Sequence, residues 1–238
     1  MHIALLSLPL AAHALTACAP APGPAASTIV HPQEAFWQAL SSHCGKAYAG
    51  GLASADARDA DWAGKRMVAH WAVCDETRVA IAFHVEEAPP SSSSEAVGRT
   101  ETSSSSEATG PEQSWNRSRT WIVTREGTGA DTRFTLKHDH RHADGEADAV
   151  TFYGGTTADA GSASAQDFPV DAESVTLFTR EGLSASLTNV WRIEVTPRGS
   201  ADARFAYQLT RRNDPTRLFR VEIDAGAPVE TPPAAWGW

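Results

Sequence analysis

Apolar and polar residues alternate along most of this chain with a period of two, the spacing that places successive side chains on opposite faces of a β-strand. The segments 78–85, 204–209 and 219–223 show the alternation most clearly. The pattern predicts half-buried strands, and weaker examples occur elsewhere. Together the predicted strands number about ten and cover residues 45–52, 66–73, 78–85, 115–124, 132–141, 150–153, 174–179, 186–195, 204–209 and 219–223.

Short, turn-like connections separate most of these strands, for example Asp144-Gly145 and Asn213-Asp214-Pro215. Strands joined in this way pair antiparallel. We therefore predict a mainly all-β fold, an antiparallel up-and-down meander of about ten strands. A sheet of this size with one apolar face curls into a barrel or splits into a sandwich, because its edges need protection. A short amphipathic helix is predicted before the first strand, at residues 33–42.

The balance of charge argues against one class of partner. The 238 residues carry a net charge of -9, and no block of consecutive Lys or Arg is present, so nucleic acid is not an expected partner. A hydrophobic content of 42% with eight tryptophans is sufficient for a packed core. No apolar run reaches the roughly 18 residues that a membrane-spanning helix needs.

Two segments have the composition of accessory regions. The serine-rich stretch at about 89–112 contains two copies of four serines followed by Glu-Ala. Such a composition predicts a disordered insert, and the strands on either side make it an extended hairpin loop within a single β domain at 33–238. The proline-containing tail at 228–238 is expected to lie extended against the barrel.

The first residues have the layout of an export signal, a short apolar run at 3–15 followed by small residues. Leu15-Thr16-Ala17-Cys18 resembles the bacterial lipobox, in which the cysteine is acylated and becomes the mature N-terminus. The resemblance implies a signal peptide at 1–17, a flexible tether at 18–32, and a membrane anchor on Cys18. The non-acidic Ala19 implies the outer membrane of the bacterial cell envelope, facing the periplasm. The alternative is a plain signal peptide with an incidental cysteine.

Cys44 and Cys74 form a disulfide in our interpretation, since an exported chain meets oxidising conditions. The strands 45–52 and 66–73, paired as a hairpin, bring the two cysteines opposite each other. Odd and even positions in the second strand place Cys74 on its polar face, with His70.

Few residues in the sequence suggest catalysis. Cys44 beside His43 has an alternative interpretation as a catalytic thiolate, which the disulfide would exclude. The chain contains no Gly-x-Ser-x-Gly, His-Glu-x-x-His, Walker, Gly-x-Gly-x-x-Gly or Cys-x-x-Cys motif. We therefore nominate no catalytic residue.

One dense cluster of histidines has the spacing of a metal site. His138, His140 and His142 project from one face of a strand, in line with Leu136, which is predicted to face the interior. Two or three imidazoles on one face ligate Zn²⁺ or Cu²⁺ when a carboxylate completes the shell. The alternative is that the strand ends after Leu136 and the histidines belong to a solvated hairpin tip around Asp144-Gly145.

A second candidate site combines arginines with tryptophans. Trp115, Arg117, Arg119 and Trp121 share one face of a strand by parity. Guanidinium groups held between indoles inside a barrel would receive the carboxylate or phosphate of a ligand. The alternative is that these arginines face solvent.

A helix followed by a glycine-containing first strand and a meander resembles the lipocalin, or calycin, architecture. The Gly-x-Trp of that family corresponds to Gly45-Lys46-Ala47-Tyr48 here, so no ligand class is carried over. The chain also resembles proteobacterial lipoproteins without an assigned activity.

The function we expect is that of a non-enzymatic lipoprotein whose barrel binds a small apolar or anionic ligand, or an envelope partner. One alternative is a transition-metal protein that uses the three histidines, and another is a structural envelope component. An enclosed apolar cavity would indicate the ligand-binding lipoprotein. A converging imidazole cluster would indicate the metal protein, and a filled core the structural component.

Overall fold

The meander predicted from the alternation is present in a computed structural model of the chain, which describes residues 30–87 and 114–238. The predicted signal peptide, Cys18, most of the tether and the serine-rich insert lie outside these residues. The elements in order are helix α1 Pro32–Ser41, strands β1 Ala47–Leu52, β2 Met67–Cys74, β3 Arg78–Glu87, β4 Ser114–Glu126, β5 Arg133–His140, β6 Tyr153–Thr156 and β7 Ala165–Pro169, helix α2 Ala172–Arg180, and strands β8 Asn189–Val195, β9 Arg204–Arg211 and β10 Asp214–Val229.

Pairing of the first strand with the last curls the sheet into a nearly closed barrel. The strand order is β6-β5-β4-β3-β2-β1-β10-β9-β8-β7, and all pairs are antiparallel. Where β1 meets β10, a Cβ on Gly50 would overlap the carbonyl oxygen of Glu222, so this pairing requires glycine. The fold is therefore a barrel rather than a sandwich, and it is compatible with a lipocalin-like architecture.

The gap that remains in the wall of the barrel lies between its edge strands, β6 and β7, and is covered by α2. A single bridge joins Gly155 to Val170 across it. The hydroxyl of Ser174 on α2 accepts a hydrogen bond of 2.7 Å from the backbone N–H of Gly154. Phe178, one helical turn later, is buried with its ring 5.3 Å from that of Tyr153.

The prediction of a strand at 174–179 is therefore wrong. Its β-branched and aromatic residues favour a strand by propensity, but the Asp171 carboxylate caps a helix there by accepting from the N–H of Ser174 at 2.8 Å. Burial of Ser174 and Phe178, four residues apart, follows the helical period. The sequence analysis missed β7, and the strand predicted at 150–153 overlaps β6 only at Tyr153. The predicted number of strands is therefore correct although not all of their positions are.

Helix α1 closes one end of the barrel. Its Phe36, Trp37 and Leu40 are buried, as the amphipathic pattern predicts. The rings of Phe36 and Trp37 lie 5.3 and 5.8 Å from the ring of Phe134 at the start of β5. We call this end the closed end and the opposite end the mouth. In the part of the chain that the structure describes, no helix is long and apolar enough to cross a membrane.

The structure joins Cys44 to Cys74 in a disulfide, with their Cα atoms 6.0 Å apart. The pairing of the two cysteines agrees with the prediction, but the face of β2 on which Cys74 lies does not. The register of β2 against β3 shifts between Trp71 and Val73, so that Cys74 pairs with Val79 and packs against the core. A β-bulge of this kind moves the following residue to the other face.

The C-terminal tail lies against the outer wall of the barrel, as predicted. The Nε2 of His84 donates to the carbonyl of Pro233 at 2.9 Å, and the N–H of Trp236 donates to the carbonyl of Arg117 at 3.0 Å. The indole N–H of Trp238 donates to the buried carboxylate of Asp139 at 2.9 Å. These bonds attach the tail to β3, β4 and β5.

Strands β3 and β4 stay paired up to Glu87 and Ser114, the residues that border the serine-rich insert. The ladder of β3 and β4 therefore continues up to the mouth.

Loss of the disulfide should destabilise the barrel without changing its topology. The two cysteines are 30 residues apart, so replacing both by alanine is expected to lower the free energy of unfolding by roughly 3 to 4 kcal/mol in the chain-entropy model. Urea denaturation of the oxidised protein and of the double variant measures this difference. The wild type in reductant should match the variant, and equal midpoints under all three conditions would contradict the prediction.

Candidate functional site

A cavity of about 230 Å³ opens at the mouth. Strands β3, β4, β5, β6, β9 and β10 contribute to its wall, together with the 3₁₀ segment Ala57–Trp62 between β1 and β2. The lining residues are Asp59, Trp62, Phe83, Arg119, Trp121, His138, His140, Tyr153, Tyr207, Leu209, Arg217 and Phe219. Half of the lining residues are thus Trp, Tyr or Phe, and the others include two guanidinium groups, two imidazoles and one carboxylate.

The first guanidinium, that of Arg217, is neutralised by carboxylates. Its Nη2 lies 2.9 Å from one carboxylate oxygen of Asp59, and its Nη1 lies 3.0 Å from Asp56. Asp59 is buried. These ion pairs hold the 3₁₀ segment against β10 at the edge of the cavity.

The second guanidinium, that of Arg119, has no such partner. It stacks over the indole of Trp62 at 4.8 Å, and its Nη1 donates to the hydroxyl of Ser118 at 2.9 Å. No ion pair between described residues includes Arg119. Arg119 is half-buried, and this burial lowers the pKa of its guanidinium.

Only half of the predicted Arg and Trp cluster reaches this cavity. Arg119 and Trp121 line it, as the ligand hypothesis requires. The prediction that Trp115 and Arg117 share their face is wrong. Arg117 lies outside the barrel and donates to the carbonyl of Ala234 in the tail at 3.0 Å.

A β-bulge in β4 is the reason. Phe83 pairs with Arg119, but the next inward residue of β3, Val85, pairs with Asn116. One residue of β3 therefore faces two residues of β4, and the alternation of faces reverses at that point. Parity along the sequence does not reveal such an extra residue.

The three histidines of the predicted metal site also lie in different environments. His138 is buried and faces the interior. Its Nδ1 donates to the carbonyl of Tyr153 at 3.0 Å, since a carbonyl only accepts, and its Nε2 accepts from the hydroxyl of Tyr207 at 2.7 Å. Both ring nitrogens of His138 are therefore occupied by protein groups.

His140 also lines the cavity, with its Nε2 3.2 Å from the hydroxyl of Tyr153. His142 lies outside, exposed, 3.6 Å from Asp148. The three imidazoles do not converge, and the described residues contain no group of three or more His, Cys, Asp or Glu side chains that would hold a metal ion.

Burial shifts the pKa of four groups between β5, β6 and β9 away from neutrality. It lowers the pKa of His138 to about 3 and that of His140 to about 4. It raises the pKa of Tyr153 to about 12 and that of Tyr207 well above its usual value. At pH 7 these four side chains are therefore neutral hydrogen-bonding groups.

Four aromatic side chains that line the cavity form a stack, which we call the aromatic wall: Trp62, Phe83, Trp121 and Tyr207. The ring of Trp121 stacks on that of Phe83 at 4.5 Å and on that of Tyr207 at 4.3 Å. Planes of neighbouring rings in the wall differ by at most 24°. Rings stacked in this way cover each other's faces, so the wall presents mainly ring edges to the cavity.

The barrel interior below the cavity is filled. Buried side chains pack together between the mouth and the closed end, among them Phe134, Trp191 and Phe205. The cavity is therefore small and part polar, neither the enclosed apolar cavity nor the completely filled core that the sequence analysis set as distinguishing features.

The sequence analysis did not nominate several lining residues. Tyr207 carried a signal, because it occupies an inward position in the alternating segment 204–209. Asp59, Trp62 and Arg217 carried none, since the first two lie in a polar loop and the contact of Asp59 with Arg217 joins distant parts of the chain.

Comparison of the chain with protein-family models, with curated proteins and with solved structures finds no match. The function is accordingly argued from the geometry of the mouth.

Acidification should destabilise the barrel through His138. Its pKa is about 3 in the folded protein, against 6.5 for an unperturbed histidine, so the unfolded chain binds more protons between these values. Stability is then complete above about pH 6.5 and falls as the pH drops, by up to about 1.4 kcal/mol per pH unit for this group. His138→Asn keeps a donor for the Tyr153 carbonyl but does not titrate.

The measurement is the slope of the unfolding free energy against pH between 6 and 4, from urea denaturation. His138→Asn should have a shallower slope than the wild type, whereas the exposed His142→Asn should not. Parallel slopes for all three proteins would refute the assignment.

Proposed function

We propose that this protein is a non-enzymatic binding protein whose barrel receives a small anionic ligand in the mouth cavity, with Arg119 as the charged donor. The observation that carries the proposal is the guanidinium of Arg119, which lines the cavity without a carboxylate partner among the described residues.

The contrast between the two arginines supports this role. Arg217 is held by Asp56 and Asp59, so its charge is satisfied within the protein. Arg119 has only neutral partners, the hydroxyl of Ser118, the side-chain oxygen of Asn116 and the indole of Trp62. A charge that is partly removed from water needs a compensating charge, and the anionic group of a ligand supplies it through charge-assisted hydrogen bonds.

Neighbouring polar groups supply further hydrogen bonds. The His140 imidazole and the Tyr153 hydroxyl lie beside the cavity and interact with each other at 3.2 Å. Because a neutral imidazole and a phenol each both donate and accept, this pair adapts to a donor or an acceptor on the ligand. Its neutrality at pH 7 supports a binding role.

We further propose that the barrel is exported and tethered by acyl chains on Cys18 to the outer membrane, facing the periplasm. The lipobox resemblance of residues 15–18 supports this placement, and a disulfide between Cys44 and Cys74 suits an oxidising compartment. Each buried methylene of an acyl chain contributes about 0.8 kcal/mol, so several chains anchor the protein stably.

The two alternatives have less support. A transition-metal protein built on His138, His140 and His142 has no converging donors in the described part of the chain. A purely structural component does not account for a cavity lined by an unneutralised arginine.

Removal of the Arg119 charge should abolish most anion binding. The probes are benzoate, propionate and inorganic phosphate, and tryptophan fluorescence reports binding because Trp62 and Trp121 line the cavity. Hydrogen bonds to charged groups contribute about 1.5 to 3 kcal/mol, so Arg119→Gln is expected to weaken binding of the tightest probe roughly ten- to hundredfold.

Arg117→Gln is the matched control, because it removes the same charge from the same strand but on the outer wall. It should bind the probes like the wild type. Absence of binding to the wild type at millimolar concentration, or equal affinities for the wild type and Arg119→Gln, would show that the proposal is wrong.

Export and acylation are tested in a Gram-negative host. The full chain should incorporate radiolabelled palmitate and fractionate with the outer membrane, and Cys18→Ala should lose the label because no other residue is the proposed attachment site. Cys44→Ala is the control and should keep the label. Label retained by Cys18→Ala would rule out the anchor.

A further inference from the structure

We infer that the ligand of the mouth cavity is a small aromatic carboxylate, a planar molecule with one negative charge. The inference rests on the proposed function and specifies its ligand class. Three features of the cavity carry it: its charge, its aromatic wall and its size.

The charge of the cavity favours a single negative charge. Arg119 is its one lining cation without a carboxylate partner among the described residues, since Arg217 is paired with Asp59. A monoanion balances Arg119, whereas the second charge of a phosphate dianion would meet the carboxylate of Asp59 without a further cation to compensate it.

The guanidinium of Arg119 keeps donors for such a group. Its described hydrogen bonds use Nη1 alone, towards Ser118 and Asn116. A guanidinium has five N–H donors in a planar fork, and a carboxylate accepts two of them side by side.

The aromatic wall favours a ligand with an aromatic ring. Trp62, Phe83, Trp121 and Tyr207 all line the cavity with nearly parallel, stacked rings. Ring edges carry partial positive charge and ring faces partial negative charge, so a ligand ring laid across the edges of the wall makes edge-to-face contact. The same wall carries Arg119 over Trp62, so the anionic site and the aromatic wall are adjacent.

The size of the cavity favours short ligands. Its volume of about 230 Å³ is below the roughly 300 to 1,000 Å³ of most ligand pockets. Packed side chains fill the barrel beneath it, so an acyl chain has no space to extend towards the closed end. A single ring with one carboxylate matches this volume.

Calorimetric titration of the full-length protein with matched probes tests the class. The probes are benzoate, cyclohexanecarboxylate, phenyl phosphate at pH 8, octanoate and benzyl alcohol. Benzoate should bind at least tenfold more tightly than benzyl alcohol, which lacks the charge, and severalfold more tightly than cyclohexanecarboxylate, which lacks the flat ring. Phenyl phosphate and octanoate should bind more weakly than benzoate.

Two variants test whether Arg119 and Trp62 cause the preference for benzoate. Arg119→Gln should weaken all four anions and leave benzyl alcohol unchanged. Trp62→Leu should reduce the ratio between benzoate and cyclohexanecarboxylate, because Trp62 is the ring that adjoins Arg119. An unchanged ratio in Trp62→Leu would overturn the part of the inference that depends on the wall.

The outcomes separate this inference from the proposal on which it rests. If phenyl phosphate, octanoate or cyclohexanecarboxylate binds as tightly as benzoate and still depends on Arg119, the aromatic carboxylate class is wrong and the anion site stands. If no anion binds the wild type, both are wrong.

Discussion

The pairing of β1 with β10 is the interaction on which the rest of the structure depends. It joins elements from opposite ends of the described chain and converts a ten-stranded meander into a nearly closed barrel. Gly50 permits it, because a side chain there would overlap the backbone of Glu222. Without closure, β9 and β10 would not stand opposite β4 and β5, and Tyr207 would not reach His138 across the interior.

The bulges in β2 and β4 change which side chains face the interior of the barrel. The bulge in β2 turns Cys74 inward against the core, and the bulge in β4 separates Arg119 from Arg117. The second has the larger effect, because one strand then serves two surfaces: the cavity on the inside and the docked tail on the outside. An uninterrupted β4 would put both arginines on the same side.

The sequence predicted the barrel better than the site, for physical reasons. Most strands show apolar residues at every second position because one face of each strand is buried. The segment 78–85 is the clearest example. Bulges insert one residue without a distinctive local signal, so faces assigned by parity failed at Trp115, Arg117 and Cys74. Asp59 meets Arg217 over a separation of 158 residues, and no local pattern encodes that contact.

The complete pairing of β3 with β4 up to Glu87 and Ser114 has a practical consequence. Facing residues at the end of an antiparallel ladder lie about 5 Å apart, a span that a two-residue turn closes. A two-residue turn in place of the 26 intervening residues would therefore span this gap. Any group inserted between Glu87 and Ser114 would start at the rim of the barrel, close to the cavity that Arg119 lines.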